Sequence, residues 1–160
     1  MSDKSVEQLR ALLKTYEQRT QGQAEAKTVV DEGERRRQLC GDRLQRVVRS
    51  VLLTFAAELR DAGHEVAIDD HSERADAYPS VALVFTPRAP AGNALASMLV
   101  FKCDPRRGIA VARDVRVPTS KGRVVSTSTD RLGTMRVEGV TKEWVETKAL
   151  SFIEAVLKVN

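Results

Sequence analysis

Few residues in this chain have side chains suited to chemistry: there are two histidines and two cysteines in 160 residues. Only one stretch gathers titratable groups closely. In it Asp69, Asp70, His71, Glu73 and Asp76 place four carboxylates and an imidazole within eight positions. Oxygen donors of this kind suit a hard divalent cation, and a carboxylate beside an imidazole suits proton transfer. The spacing nevertheless matches neither the calcium-binding loop nor the paired histidines of a zinc helix. A solvated connection between strands accounts for the cluster as it stands, so no metal and no other cofactor is expected.

Nucleophilic catalysis has thinner support. His64 stands apart, and neither cysteine lies in a nucleophile motif. Ser120, Lys121 and Gly122 resemble the end of a phosphate loop but lack its upstream glycines, and read as a turn. Cys40 and Cys103 are too few and too far apart for a disulfide framework or a metal knuckle. They are expected to be reduced and to act as small buried hydrophobes, the alternative being a Cys40 bridge between two copies. On this reading the balance lies against an enzyme without excluding one.

Charge offers a different chemistry. The net charge of +4 and pI near 9.3 permit an anionic partner without requiring one. Arg35, Arg36, Arg37, Arg43, Arg46 and Arg49 stand against Asp42 alone. At helical spacing Arg35, Arg46, Arg49 and Arg60 share a face opposite Leu44 and Phe55, and such a stripe could follow phosphates. Against this, Asp31, Glu32 and Glu34 immediately precede it and would repel a nucleic acid backbone. The aromatic content of 4% also leaves few stacking platforms. A solvated face, or charge pairing between subunits, is therefore favoured over nucleic acid.

The elements that position these groups follow from apolar periodicity. Val81 to Phe85 is an unbroken apolar run read as a strand covered on both faces; Met98 to Phe101 and Ile109 to Ala112 follow it. Connections this short require antiparallel pairing. His64 to Ile68 forms an earlier strand with Val66 and Ile68 inward. Arg123 to Thr129 forms a later one, and Asp130 to Gly133 is expected to reverse the chain into a last strand, Thr134 to Val137. Leu44, Val48, Val51, Leu52, Phe55 and Leu59 define a packing helix with Gly63 just beyond its end. A closing helix from the N-cap Thr141 to about Lys158 turns Val145, Ala149, Phe152, Ile153 and Val156 to the sheet. The fold class is α+β: an N-terminal helical arm of one or two helices, a packing helix, an antiparallel sheet of five or six strands and a C-terminal helix on the sheet.

The arm, residues 1–40, precedes an α+β domain, 41–160. Val6, Leu9, Leu13 and Tyr16 recur at three- and four-residue spacing on an otherwise polar helix, with Gln21, Gly22 and Gln23 marking a potential bend. Val30 continues the apolar surface. A seam this narrow calls for a second helix, so the leading expectation is a non-enzymatic interaction or assembly module, homodimeric through the arm and offering its body to a protein partner. Two alternatives compete with it. One is a nucleic-acid-associated protein using the arginine face; the other is a small-molecule or catalytic domain with a pocket between sheet and C-terminal helix, lined by Ala96, Ala110, Ala112 and Ala149. No run approaches a membrane span and no apolar leader stands at the N-terminus, which points to the cytoplasm.

Overall fold

The computed structural model describes residues 3–72, 78–89, 94–104, 106–118 and 124–160, leaving aside the side chains of 3, 22–31, 118 and 124–130. The chain divides into two compact units, 1–36 and 37–160. The first unit is helical throughout its described length and belongs to α1, Asp3–Arg43. This helix continues through Gly22, where an interior glycine costs only about 1 kcal/mol.

The second unit starts with the last residues of α1. A π-helical turn, Leu44–Val48, leads into α2, Arg49–Asp61. The wider turn resets the phase of the apolar stripe, so that Leu44, Val48, Leu52 and Ala56 are all fully buried. Gly63 follows at φ +92°, a left-handed conformation that favours glycine and turns the chain into the sheet.

Five strands then form one antiparallel meander in the order β1-β2-β3-β4-β5: β1 Glu65–Asp70, β2 Ser80–Thr86, β3 Ser97–Asp104, β4 Gly108–Pro118 and β5 Val124–Met135. The chain closes with a 3-10 turn, Val137–Gly139, and α3, Lys142–Val159. The Thr141 hydroxyl caps α3 by accepting from the Trp144 amide at 3.2 Å. Helices α2 and α3 both pack on one sheet face, where Phe85, Phe101 and Phe152 meet Leu52, Leu83 and Leu99 with no exposed surface. The aromatic contacts are edge-to-face: Phe85 with Phe152 at 6.5 Å between centroids, and Phe101 with Trp144 at 6.0 Å.

Three expectations are corrected. First, Asp130 to Gly133 does not reverse the chain, because β5 runs on through it, paired with β4. The register steps past Leu132, pairing Ala112 with Arg131 and Val111 with Gly133, which makes a β-bulge with Gly133 at φ +125°. Lys148 Nζ of α3 donates to the Leu132 carbonyl at 2.8 Å, satisfying a group in this irregular segment. Second, the space between sheet and α3 is filled by Phe101, Val145, Ala149 and Phe152. Of the alanines expected there only Ala149 is in place; Ala110 and Ala112 line a groove on the opposite sheet face, and Ala96 is exposed ahead of β3. Third, Cys40 and Cys103 form a disulfide, their Cα atoms 5.9 Å apart and each 2% exposed. Sequence separation concealed a pairing that tertiary packing creates, since α1 ends against β3.

Candidate interaction surfaces

The first unit presents its seam to solvent. Val6, Leu9, Leu13 and Tyr16 are 41, 56, 55 and 68% exposed, and Leu12 beside them is 69% exposed. The helical phase that puts the first four on one line comes from the 3, 4, 3 spacing of the sequence. Val30 lies outside the described side chains.

In the second unit, two of the arginines on the packing-helix face hold the helix to the sheet. Arg49 Nε lies 3.0 Å from Asp70 Oδ2 at the end of β1. Arg60 Nη2 donates to the Val66 carbonyl at 3.0 Å. Arg46 is exposed, while Arg35 belongs to the first unit and is also exposed. Arg43, another cation of the same segment, reaches the turn before α3: its Nε donates to the Val137 carbonyl at 3.0 Å and its Nη2 to the Glu138 carbonyl at 3.1 Å.

Asp70 is the best-defined member of the acidic stretch. Partial burial raises its pKa, but the Ser72 hydroxyl and amide both donate to Oδ1. With the charges of Arg49 and His71 nearby, they outweigh burial and hold the carboxyl below its ordinary value. Glu73 and Asp76 lie outside the described residues, as do Ser120, Lys121 and Gly122; among the described residues no metal-binding cluster is formed. The histidines have structural partners. His64 Nδ1 accepts from the Arg88 amide at 2.8 Å and its ring stands edge-on to Phe85. The His71 backbone extends the β1 to β2 pairing by exchanging hydrogen bonds with Ser80.

The sheet face turned away from α2 and α3 carries a surface that sequence reading missed. Registers align Asp69, Ala82, Val100, Ala112 and Arg131 in one row across all five strands. A neighbouring row joins Ser80, Lys102, Ala110 and Thr134. Over β3 to β5 these rows floor an open groove of about 840 Å³. Its bottom is formed by small side chains, and its rim by Lys102, Arg106, Arg107 and Arg131, with Asp104 the one carboxylate among the described lining residues. Tyr78 stands at one end, 53% exposed, with Lys102 Nζ 5.9 Å from its ring centroid. The signal was the alternation of Val100 and Lys102 with Leu99 and Phe101. It was masked because the outward residues are partly apolar too.

These features define a helical segment with an open apolar seam and an α+β body with both helices on one side of a five-stranded meander. Comparison with protein-family models, with curated proteins and with solved structures finds no match for this chain. Among the described residues no helix is long and apolar enough to cross a membrane.

Proposed function

We propose that this protein is a non-enzymatic assembly module that pairs with a second copy of itself through α1 and carries the α+β body as the part offered to a protein partner. The observation behind the reading is the exposed seam of Val6, Leu9, Leu13 and Tyr16. A polar helix with one narrow apolar line gains little from standing alone, whereas two such lines interlocking remove both from water. Each leucine fully buried this way contributes about 1.5–3 kcal/mol. The body has two strand edges to offer, since β1 and β5 bound the sheet.

The disulfide supports an oxidising environment over the cytoplasm that the sequence suggested, because such bonds are rare where thiol reductants are abundant.

Sedimentation equilibrium of the full chain across a concentration series tests the assembly. A dimer is expected for the native chain and a monomer for Leu9→Asp/Leu13→Asp, whose substitutions fall on exposed positions and leave the body folded. A native chain that stays monomeric at every concentration overturns the proposal.

A further inference from the structure

We propose that the groove on the open face of β3, β4 and β5 binds a short single strand of nucleic acid. This surface lies apart from the arginine stripe of the packing helix and is independent of whether the chain dimerises.

Charge is the first argument. Among the described residues lining the groove, Lys102, Arg106, Arg107 and Arg131 are accompanied by one carboxylate, Asp104. Asp104 is itself engaged, since its Oδ1 accepts from the Arg106 amide at 3.0 Å. Among the described residues none of the four cations forms an ion pair, in contrast to Arg49, which is held by Asp70. Cations kept unneutralised around one concavity favour a polyanion.

The floor narrows the choice of polyanion. Val100, Ala110 and Ala112 give a low apolar bed. A nucleobase can lay its flat face on such a bed while its polar edge points sideways to solvent, and Tyr78 supplies a ring for stacking at one end. An acidic peptide fits less well. The sheet's own backbone groups are used in pairing here, so a peptide lying on this floor would leave its amides and carbonyls without partners, at a cost for each. An acyl chain needs enclosure, and this groove is open. Its volume of about 840 Å³ is enough for a few nucleotides rather than a long tract.

Fluorescence anisotropy of the full-length chain with a labelled oligothymidylate of about ten nucleotides provides the test. Binding is expected at low salt. The logarithm of the association constant should fall against that of salt concentration with a slope of about −3, since four phosphate contacts on a single strand contribute about −0.7 each. Lys102→Glu/Arg131→Glu is expected to weaken binding by about tenfold or more. Tyr78→Ala should weaken it by about tenfold through lost stacking. All three side chains are exposed, and unchanged circular dichroism and melting temperature would confirm that each variant is folded.

Four results would overturn the proposal. The first is no binding at low salt, and the second is full affinity in Lys102→Glu/Arg131→Glu. In the third, binding is abolished by Arg46→Glu on the helix face instead. In the fourth, polyglutamate binds as tightly as the oligonucleotide and Tyr78→Ala has no effect on either, which assigns the groove to acidic protein segments.

Discussion

Arg43 illustrates how a cation read as part of a basic stripe can be committed to the protein's own fold. Its guanidinium fork spans two successive carbonyls, Val137 and Glu138, and so fastens the end of α1 to the turn that launches α3. Two charge-assisted hydrogen bonds at a half-buried site are worth about 1–3 kcal/mol together. Arg43→Ala is therefore expected to lower the unfolding free energy from urea titration by that amount. Arg43→Lys should recover only part of it, because an ammonium group lacks the planar fork. Equal stability of all three chains would show the contact to be idle. Asp70 makes a second case at this scale, with a pH signature. Its folded pKa is depressed, so the unfolded state takes up a proton first as pH falls. Its contribution is present above the ordinary carboxylate value near 3.8 and is lost as pH drops through the folded value. Asp70→Asn should be less stable than the native chain near neutral pH, by less than about 1 kcal/mol since the Arg49 pair is partly exposed. Paired urea titrations at about pH 7 and about pH 3 should show the difference shrinking in acid.

At the scale of elements, glycines separate sharply by what surrounds them. Gly108 opens β4 at φ +121°, and a Cβ there would lie 2.1 Å from the Met135 carbonyl oxygen. Backbone strain and collision with an opposing strand act together, so Gly108→Ala is expected to cost about 3 kcal/mol or more, lowering the thermal midpoint by about 10 °C or more or preventing folding. Gly33→Ala provides the contrast. Nothing lies within 4 Å of a Cβ at that helical position, and the change should stabilise α1 by about 0.5–1 kcal/mol. Circular dichroism melts of the two variants measure both effects. The same distinction explains what the sequence made legible. Helical stripes were readable because Val145, Ala149, Phe152 and Val156 repeat at one period against a polar remainder, and all four are buried. β1 was readable through Val66 and Ile68, which pack against the core as expected. The end of β5 was not, because Gly133 serves equally well in a reversal or a bulge; pairing with β4 decides between them. The open sheet face was hidden for a related reason. Ala82, Val84, Ala110 and Ala112 are apolar, and a run such as Val81 to Phe85 then resembles a strand covered on both sides.

On the scale of the whole molecule, the Cys40–Cys103 bond is the covalent tie between the end of α1 and the sheet. No local pattern announced it: the two residues are 63 positions apart and share no motif. It ties elements that already touch within the second unit. Gly41, next to Cys40, places its Cα so close to the chain after β1 that an added Cβ would sit 3.0 Å from the Ser72 carbonyl oxygen. The Cys103 amide donates to Pro79 just ahead of β2 at 2.8 Å. Bridging a separation of this length removes enough unfolded-chain entropy to contribute about 4 kcal/mol in the loop-closure model. Reduction, or Cys40→Ser/Cys103→Ser, should therefore lower unfolding free energy by as much as about 4 kcal/mol, and in the reduced native chain the two buried thiols should become reachable by alkylation only on unfolding. It should leave the oligomeric state unchanged, because both cysteines lie in the second unit while the seam of Val6, Leu9, Leu13 and Tyr16 lies in the first. Urea titrations with and without reductant, followed by sedimentation of the reduced chain, separate these effects. If reduction abolishes association without altering unfolding, the bond acts between copies and the intramolecular pairing is wrong. If reduction lowers stability while the dimer persists, body and seam are independent devices, one secured by a covalent tie and the other by apolar contact alone.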